Sequence, residues 1–283
     1  MTKAPELYAP DPVDLDGIEG RLNDILRNVQ PVAIAVSGGV DSLTLATLAH
    51  RVLPDGASAM FHAVSPAVPE EASARVRALA QREGWSLTVF DAGEFGNENY
   101  RSNPVNRCFH CKHSLYEAIH RLTDATILSG ANQDDLGEYR PGLEAARLFR
   151  VRHPYVEAGL AKADVRALAA RLGLGNIADL PAAPCLASRV ESGIRIEADT
   201  LRLIHRVEQA IAASLKPQVV RCRVRRGAIV IELDPQTLGQ LSIDDQDRLT
   251  CHLRSLPDAG VAIPPGTAVR YERYRVGSAF LHT

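Results

Sequence analysis

The segment RCFHCKHSL, Arg107 to Leu115, carries a Cys-x-x-Cys pair, and thiolates at that spacing bind soft metals or take part in redox exchange. The chain holds five cysteines. Cys222 lies in an alternating, strand-like run and Cys251 in a helix-like run, so both are expected to be small buried hydrophobes rather than ligands. That leaves Cys185, in PAAPCLASR, as the partner for Cys108 and Cys111. Three such cysteines without an obvious fourth are either unrelated or belong to a site with an open position.

A second group of residues is suited to phosphate. Ser37, Gly38, Gly39, Val40, Asp41 and Ser42 spell SGGVDS directly after the apolar run VAIAV and directly before the helix-like LTLATLAHRVL. Two glycines let the backbone turn sharply and bring N–H groups to an anion, and the helix start adds unpaired donors and a positive dipole end. The loop lacks the lysine of a Walker-type sequence, so it offers no lysine-anchored grip of that kind. The alternative is a glycine-rich turn that caps a helix through Ser37 or Asp41.

These residues need elements to position them. Leu15, Ile18, Leu22, Ile25, Leu26 and Val29 recur at helical spacing before Pro31. VAIAV, AMFHAV, SLTVFDA and ATILSGA read as buried strands separated by helix-like segments such as EEASARVRALAQREG. The alternation predicts an α/β domain with a doubly wound parallel sheet, over residues 1–180. AKADVRALAARLGL adds an amphipathic helix to it. After the Pro- and Ala-rich stretch ADLPAAPCLASRVESGIRI the order becomes helix, two strands around Gly227, helix and strand. Residues 181–283 are therefore expected to form a smaller α+β domain.

Composition is that of an ordinary soluble globular chain, with 46% hydrophobic and 23% charged residues over 283 positions. A net charge of −2 gives no general attraction to nucleic acid and argues against a tRNA or DNA partner. No charged-then-apolar leader and no apolar run near ~18 residues is present, so no membrane association and a cytoplasmic location are expected. In reducing cytosol a Cys-x-x-Cys points to metal binding or catalysis rather than to a structural disulfide.

SGGVDS resembles the pyrophosphate-loop signature of ATP pyrophosphatases, which activate an oxygen by adenylylation and release pyrophosphate. A narrower likeness follows from AVSPAVPEEASARV, NPVNRCFHCKHSLY, GANQDDLGEYRPGL, APCLASRVESG and YRVGS, which together resemble the LarE family. LarE proteins convert the carboxylates of pyridinium-3,5-biscarboxylic acid mononucleotide to thiocarboxylates, in the making of a nickel-pincer nucleotide cofactor. The resemblance implies an ATP- and Mg²⁺-dependent sulfurtransferase that acts on a small nucleotide and assembles as a homo-oligomer. It places nucleotide contacts at Ser37–Ser42, Ala63, Ser65 and Gly130, metal contacts at Asp41, Asp134 and Glu208, and substrate contacts at Arg140, Glu208, Arg221 and Arg223. Asp134 or Asp135 has the alternative of capping or turning the chain after ILSGA.

Two forms of that family differ in their sulfur source. In one, the PCLASR cysteine gives up its own sulfur; in the other, it joins a Cys-x-x-Cys to hold a [4Fe-4S] cluster whose fourth iron carries a transferable sulfide. All three cysteines are present here, which implies the cluster form with Cys108, Cys111 and Cys185 as ligands. Zinc with His110 or His113 as fourth ligand, and a sacrificial Cys185, are the alternatives. Arg221 and Arg223 stand two apart in a strand and should share one face, suited to a phosphate or carboxylate, or else form a solvated edge. HRVEQA shifts the register around Glu208 by one residue from the family pattern, and the turn near Gly227 is one residue shorter. The rival functions are a tRNA thiolase, an ammonia-dependent amide or NAD synthetase, and a non-catalytic ATP sensor. The net charge and PCLASR weigh against the first, the three cysteines against the second, and the intact loop against the third.

Overall fold

The computed structural model of the chain describes residues 15–137, 141–181, 184–256 and 262–279. It opens on helix α1 (Leu15–Val29), whose Ile18, Leu22, Leu26 and Val29 form one buried stripe at three- and four-residue spacing. Strand β1 (Val32–Ala35) follows, then α2 (Val40–Val52), β2 (Ser58–Ala63), α3 (Glu70–Glu83) and β3 (Leu87–Phe90). Next come α4 (Glu98–Arg101), α5 (Arg107–Leu122), β4 (Thr126–Leu128), α6 (Pro141–Leu148), α7 (Pro154–Glu157) and α8 (Lys162–Arg171). All four strands are parallel, in the order β3-β2-β1-β4.

Helices cover both faces of this sheet, as continuous apolar strands require. α1, α2 and α8 pack with Val32 and Ile34 on one face, while Tyr116, Ile119, Ala145 and Ala146 of α5 and α6 pack with Ala33 on the other. α2 is enclosed nearly all round, which is why its sequence is apolar on more than one side. Its buried Thr44 and Thr47 hydroxyls donate to the carbonyls of Val40 and Leu43, at 2.7 and 2.8 Å, so burial leaves them satisfied.

The second half comprises α9 (Ala198–Leu215), β5 (Val220–Arg225), β6 (Ala228–Leu233), α10 (Pro235–Gly239), α11 (Ile243–Arg254) and β7 (Ala268–Arg273). β5 and β6 form an antiparallel hairpin turning at Gly227, φ 75°, and β7 joins β6 in parallel. Cys222, Ile229, Ile231 and Leu233 pack against Leu201, Ile204, Val207 and Ile211 of α9. The same core takes in Ala67, Tyr100 and Leu186, together with the partly buried Cys111. The fold class is the one the alternation predicted: a parallel α/β sheet with a separate small three-stranded unit.

One expectation is corrected. Cys222 is fully buried, but Cys251 is exposed. The inward side chains of α11 are Leu249 and Leu253, and a residue two positions away lies about 200° round the helix.

Candidate functional site

β1 lies between β2 and β4, so the chain leaves it to both sides and opens a crevice at the carboxyl ends of the strands. Ser37 to Ser42 fill that crevice. Gly38 has φ 83°, and a Cβ there would stand 2.6 Å from the Ala72 carbonyl oxygen, so both its conformation and its space require glycine. Gly39 begins α2, and no side chain caps that first turn, whose N–H groups are left to face an anion. The Ser37 N–H donates to Ser42 Oγ at 3.0 Å and the two hydroxyls meet at 3.1 Å, which closes the loop on itself. Gly130, just after β4, lies against it: a Cβ there would be 2.9 Å from Asp41 C and Ser42 N. Ala63 ends β2 beside β1, with Ser65 two residues on.

Asp41 is held from three directions. Lys162, at the start of α8, places Nζ 2.5 Å from Oδ2; Asn132 donates to Oδ1 at 3.3 Å; and the Tyr155 hydroxyl donates to the backbone oxygen at 3.0 Å. The loop itself lacks a lysine, but one reaches it from 121 residues away. Asp134 accepts from the Lys162 N–H at 3.2 Å, and Asp135 caps a short helical turn by accepting from the Asn132 N–H at 3.0 Å. Arg140 lies outside the described residues.

Cys108 and Cys111 sit in the first two turns of α5, three apart and so on neighbouring positions of one face. Cys185, exposed, opens a short helical turn over Leu186–Arg189. The Leu186 N–H donates to the Ala67 carbonyl at 2.9 Å, which brings the Cys185 loop to the chain leaving β2. Buried Asn103 donates from Nδ2 to the carbonyls of Glu191 and Ile194, at 2.9 and 2.8 Å, and accepts from Arg107 at 2.7 Å. The approach to α5 is thereby fixed to the chain that follows the Cys185 loop.

The three thiols lie within electrostatic reach of one another. Burial first, then Cys185, pushes the Cys111 thiol up to about 12, with Glu94 and Cys108 adding to the effect and Lys112 opposing it. Lys112 is itself raised, first by Tyr116 and then by all three cysteines once burial is offset. Forming the Cys111 thiolate therefore calls for added positive charge, which a metal or cluster would bring. Among the described residues no three His, Cys, Asp or Glu side chains converge on a single-ion site. His110 and His113 are engaged in ring contacts, with Phe109 at 5.4 Å and Phe149 at 5.1 Å. A polynuclear cluster would not need such convergence, because its thiolates bind different irons. The buried Tyr100 hydroxyl, without a hydrogen-bond partner, also belongs to this neighbourhood.

Glu208 and the strand arginines meet the Cys185 loop from the other side. Both Glu208 oxygens accept from Arg189 at 3.0 Å, and Oε1 also accepts the Cys222 N–H at 2.9 Å. Arg189 in turn donates to the carbonyls of Pro184 and Cys185, at 2.5 and 3.1 Å. The Glu208 carboxylate is thus committed to holding the cysteine loop. Arg221 and Arg223 do share a face of β5, but Arg223 is buried, bonded to Glu232 at 2.9 Å and to the Ser188 carbonyl at 3.0 Å. Arg221, half-buried, lies 5.7 Å from the centre of the Tyr274 ring, and burial followed by the Arg189 charge lowers its pKa.

Lys162, Arg189, Glu94 and Tyr100 escaped the sequence reading. Lys162 left one signal, a cation in the first turn of a helix, where the dipole disfavours it. Glu94 is buried, and burial raises its carboxyl pKa although the Ser65 hydroxyl donates to it. Neither it nor Tyr100 interrupts any pattern that would mark it.

The site thus combines a glycine-rich loop at the switch point of a parallel sheet with a group of cysteines near the same strand ends. No protein-family model matches the chain. It is 37% identical over 227 residues to the uncharacterized protein slr1717 of Synechocystis sp., covering 79% of this chain and 84% of that protein, and it belongs to the same family. Pyridinium-3,5-bisthiocarboxylic acid mononucleotide synthase of Lactiplantibacillus plantarum is a distant homologue, 28% identical over 235 residues, or 82% of this chain and 84% of the synthase. The uncharacterized protein MJ0830 of Methanocaldococcus jannaschii is 26% identical over 221 residues, 77% of this chain and 82% of its own length. The synthase supports the kinship with LarE that the motifs imply.

Proposed function

We propose that the chain is an ATP-dependent sulfurtransferase that converts a carboxylate of pyridinium-3,5-biscarboxylic acid mononucleotide to a thiocarboxylate, in nickel-pincer nucleotide biosynthesis. The observation that carries this reading is the meeting of two chemistries at one end of one sheet. The Ser37–Ser42 loop lies after β1, and the Cys185 loop is bonded to Ala67, just beyond β2. Residues up to about 180 would serve the nucleotide and contribute Cys108 and Cys111, while residues 181–283 would contribute Cys185 and the substrate end.

A carboxylate resists attack because oxide would have to leave. Its oxygen therefore attacks the α-phosphorus of ATP, forming an acyl-adenylate and releasing pyrophosphate. Hydrosulfide-level sulfur then adds to the carbonyl carbon, AMP departs with the electron pair of the broken C–O bond, and one proton is lost, with no net oxidation. The α2 first turn and Lys162 face the pyrophosphate charge, and Arg221 faces the anionic end of the substrate. Asp41, freed of Lys162, is the side chain to hold Mg²⁺, which would offset charge on the separating phosphates. A [4Fe-4S] cluster on Cys108, Cys111 and Cys185 would supply the sulfur.

One observation favours a second source for that sulfur, since Cys185 is exposed and could surrender its own. The family likeness further implies a homo-oligomer. The test of the main reading is to incubate the protein with ATP, Mg²⁺, sulfide and the dicarboxylated nucleotide and to resolve the products. AMP and pyrophosphate should form in step with thiocarboxylate, and Asp41→Asn should suppress all three. ADP and phosphate as the productive pair would overturn it.

A further inference from the structure

Tyr100 in α4 is 1% exposed, and its hydroxyl is buried without a hydrogen-bond partner. The ring is fixed: it lies in the core shared with Leu186 and Cys111, edge-on to Phe95 at 5.6 Å. A buried hydroxyl left unpaired is costly, and phenylalanine would fill the same space without that cost. The hydroxyl therefore calls for an acceptor that the described residues do not supply.

The surroundings narrow what that acceptor is. The charges that bear on the Tyr100 oxygen are those of Cys185 and Cys111, then Glu94 and Arg107. Arg107 is a donor only, and Glu94, which accepts from the Ser65 hydroxyl and its own backbone N–H, makes no hydrogen bond to Tyr100. Protonated thiols are weak acceptors, whereas anionic sulfur accepts strongly.

We infer that the Tyr100 hydroxyl donates a hydrogen bond to an anionic sulfur, thiolate or inorganic sulfide, of the iron–sulfur group held by Cys108, Cys111 and Cys185. This rests on the cluster reading above. It gives Tyr100 the role of a positioning residue that also tunes the group, because a donated hydrogen bond draws charge off sulfur and makes reduction easier.

The experiment compares wild type, Tyr100→Phe and Phe95→Leu, iron-free and after anaerobic loading with ferrous iron and sulfide. Thermal unfolding of the iron-free proteins, iron content, iron loss to a chelator and reduction potential are measured. Iron-free Tyr100→Phe should melt about 2–4 °C above wild type, because an unsatisfied group is removed. Once loaded it should lose iron roughly tenfold faster and show a more negative potential. Phe95→Leu should melt lower without moving the potential, which separates packing from hydrogen bonding. Equal potentials and iron loss in wild type and Tyr100→Phe would overturn the role of Tyr100 alone. So would a lower melting temperature for iron-free Tyr100→Phe, which would reveal a partner within the chain. Failure of wild type to take up iron would overturn the cluster reading, and this inference with it.

Discussion

Arg189 connects two structural units through one guanidinium group. Its Nε and Nη2 hold Glu208 of α9, while Nη1 holds the carbonyls on either side of the Pro184–Cys185 bond. Both side chains of the pair are largely hidden, at 5% and 12% exposure, so removing one leaves a buried charge without its counterpart. Glu208→Gln should cost about 3 kcal/mol in denaturant unfolding. Arg189→Lys should be nearly as harmful, because a single ammonium cannot make a bidentate bond and cap carbonyls together. A loss near zero for either variant would show that the pair does not hold the loop. At the phosphate end, Gly130→Ala drives a methyl group against Asp41 and Ser42, where the contact would be 2.9 Å. ATP affinity measured by calorimetry should fall at least tenfold, while stability changes by about 1–3 kcal/mol. Unchanged affinity would remove Gly130 from the nucleotide site.

The Ser37–Ser42 loop is tied to its supporting elements by His62 of β2. A carbonyl can only accept, so Nδ1–H donates to Val36 O at 2.8 Å, and Nε2 accepts from Ser73 Oγ at 2.8 Å. Val36 precedes the loop, and Ser73 follows Ala72, against which Gly38 packs. Burial, with a smaller push from Arg77, lowers the His62 pKa below its ordinary 6.5 despite the Val36 carbonyl. The folded ring is therefore neutral where the unfolded chain begins to take up a proton. This contribution to stability is complete above pH 6.5 and is lost as pH falls toward the folded pKa. Wild type should melt progressively lower from about pH 7 to pH 5, and His62→Gln should start lower at pH 7 and decline less. Parallel declines in the two proteins would exclude His62 as the source.

At this scale much was legible in advance. Apolar runs of strand length separated by amphipathic helices announced a parallel sheet, because a strand covered on both faces needs no alternation. SGGVDS was readable because Gly38 is demanded locally by turn and approach. Lys162, Arg189 and Glu208 act through pairs 121 and 19 residues apart, and no local spacing encodes such pairing. Glu208 was read from motif position as a metal contact, while the fold commits its carboxylate to Arg189. Cys251 was misjudged because helical character alone does not say which side of the helix is turned inward.

In the whole molecule, Cys111 packs against a core to which both halves contribute. Tyr100 and Cys111 come from the first half and pack with Leu186, Cys222 and the α9 stripe of the second. Under the proposed function, sulfur transfer would run between the unit that activates and the unit that holds the substrate. No helix among the described residues is long and apolar enough to cross a membrane. Light scattering at micromolar concentration should report a homo-oligomer, and a monomer would contradict the assembly that the family likeness implies. The most direct test of the central claim is to follow thiocarboxylate per chain under sulfide supply while weighing the intact protein after turnover. The account predicts several products per chain, no change in protein mass, and equal loss of transfer in Cys108→Ala, Cys111→Ala and Cys185→Ala. A wild type that stops at one sulfur per chain and lightens by about 34 Da at Cys185, the loss of H₂S rather than any oxidation step of a thiol, would contradict it.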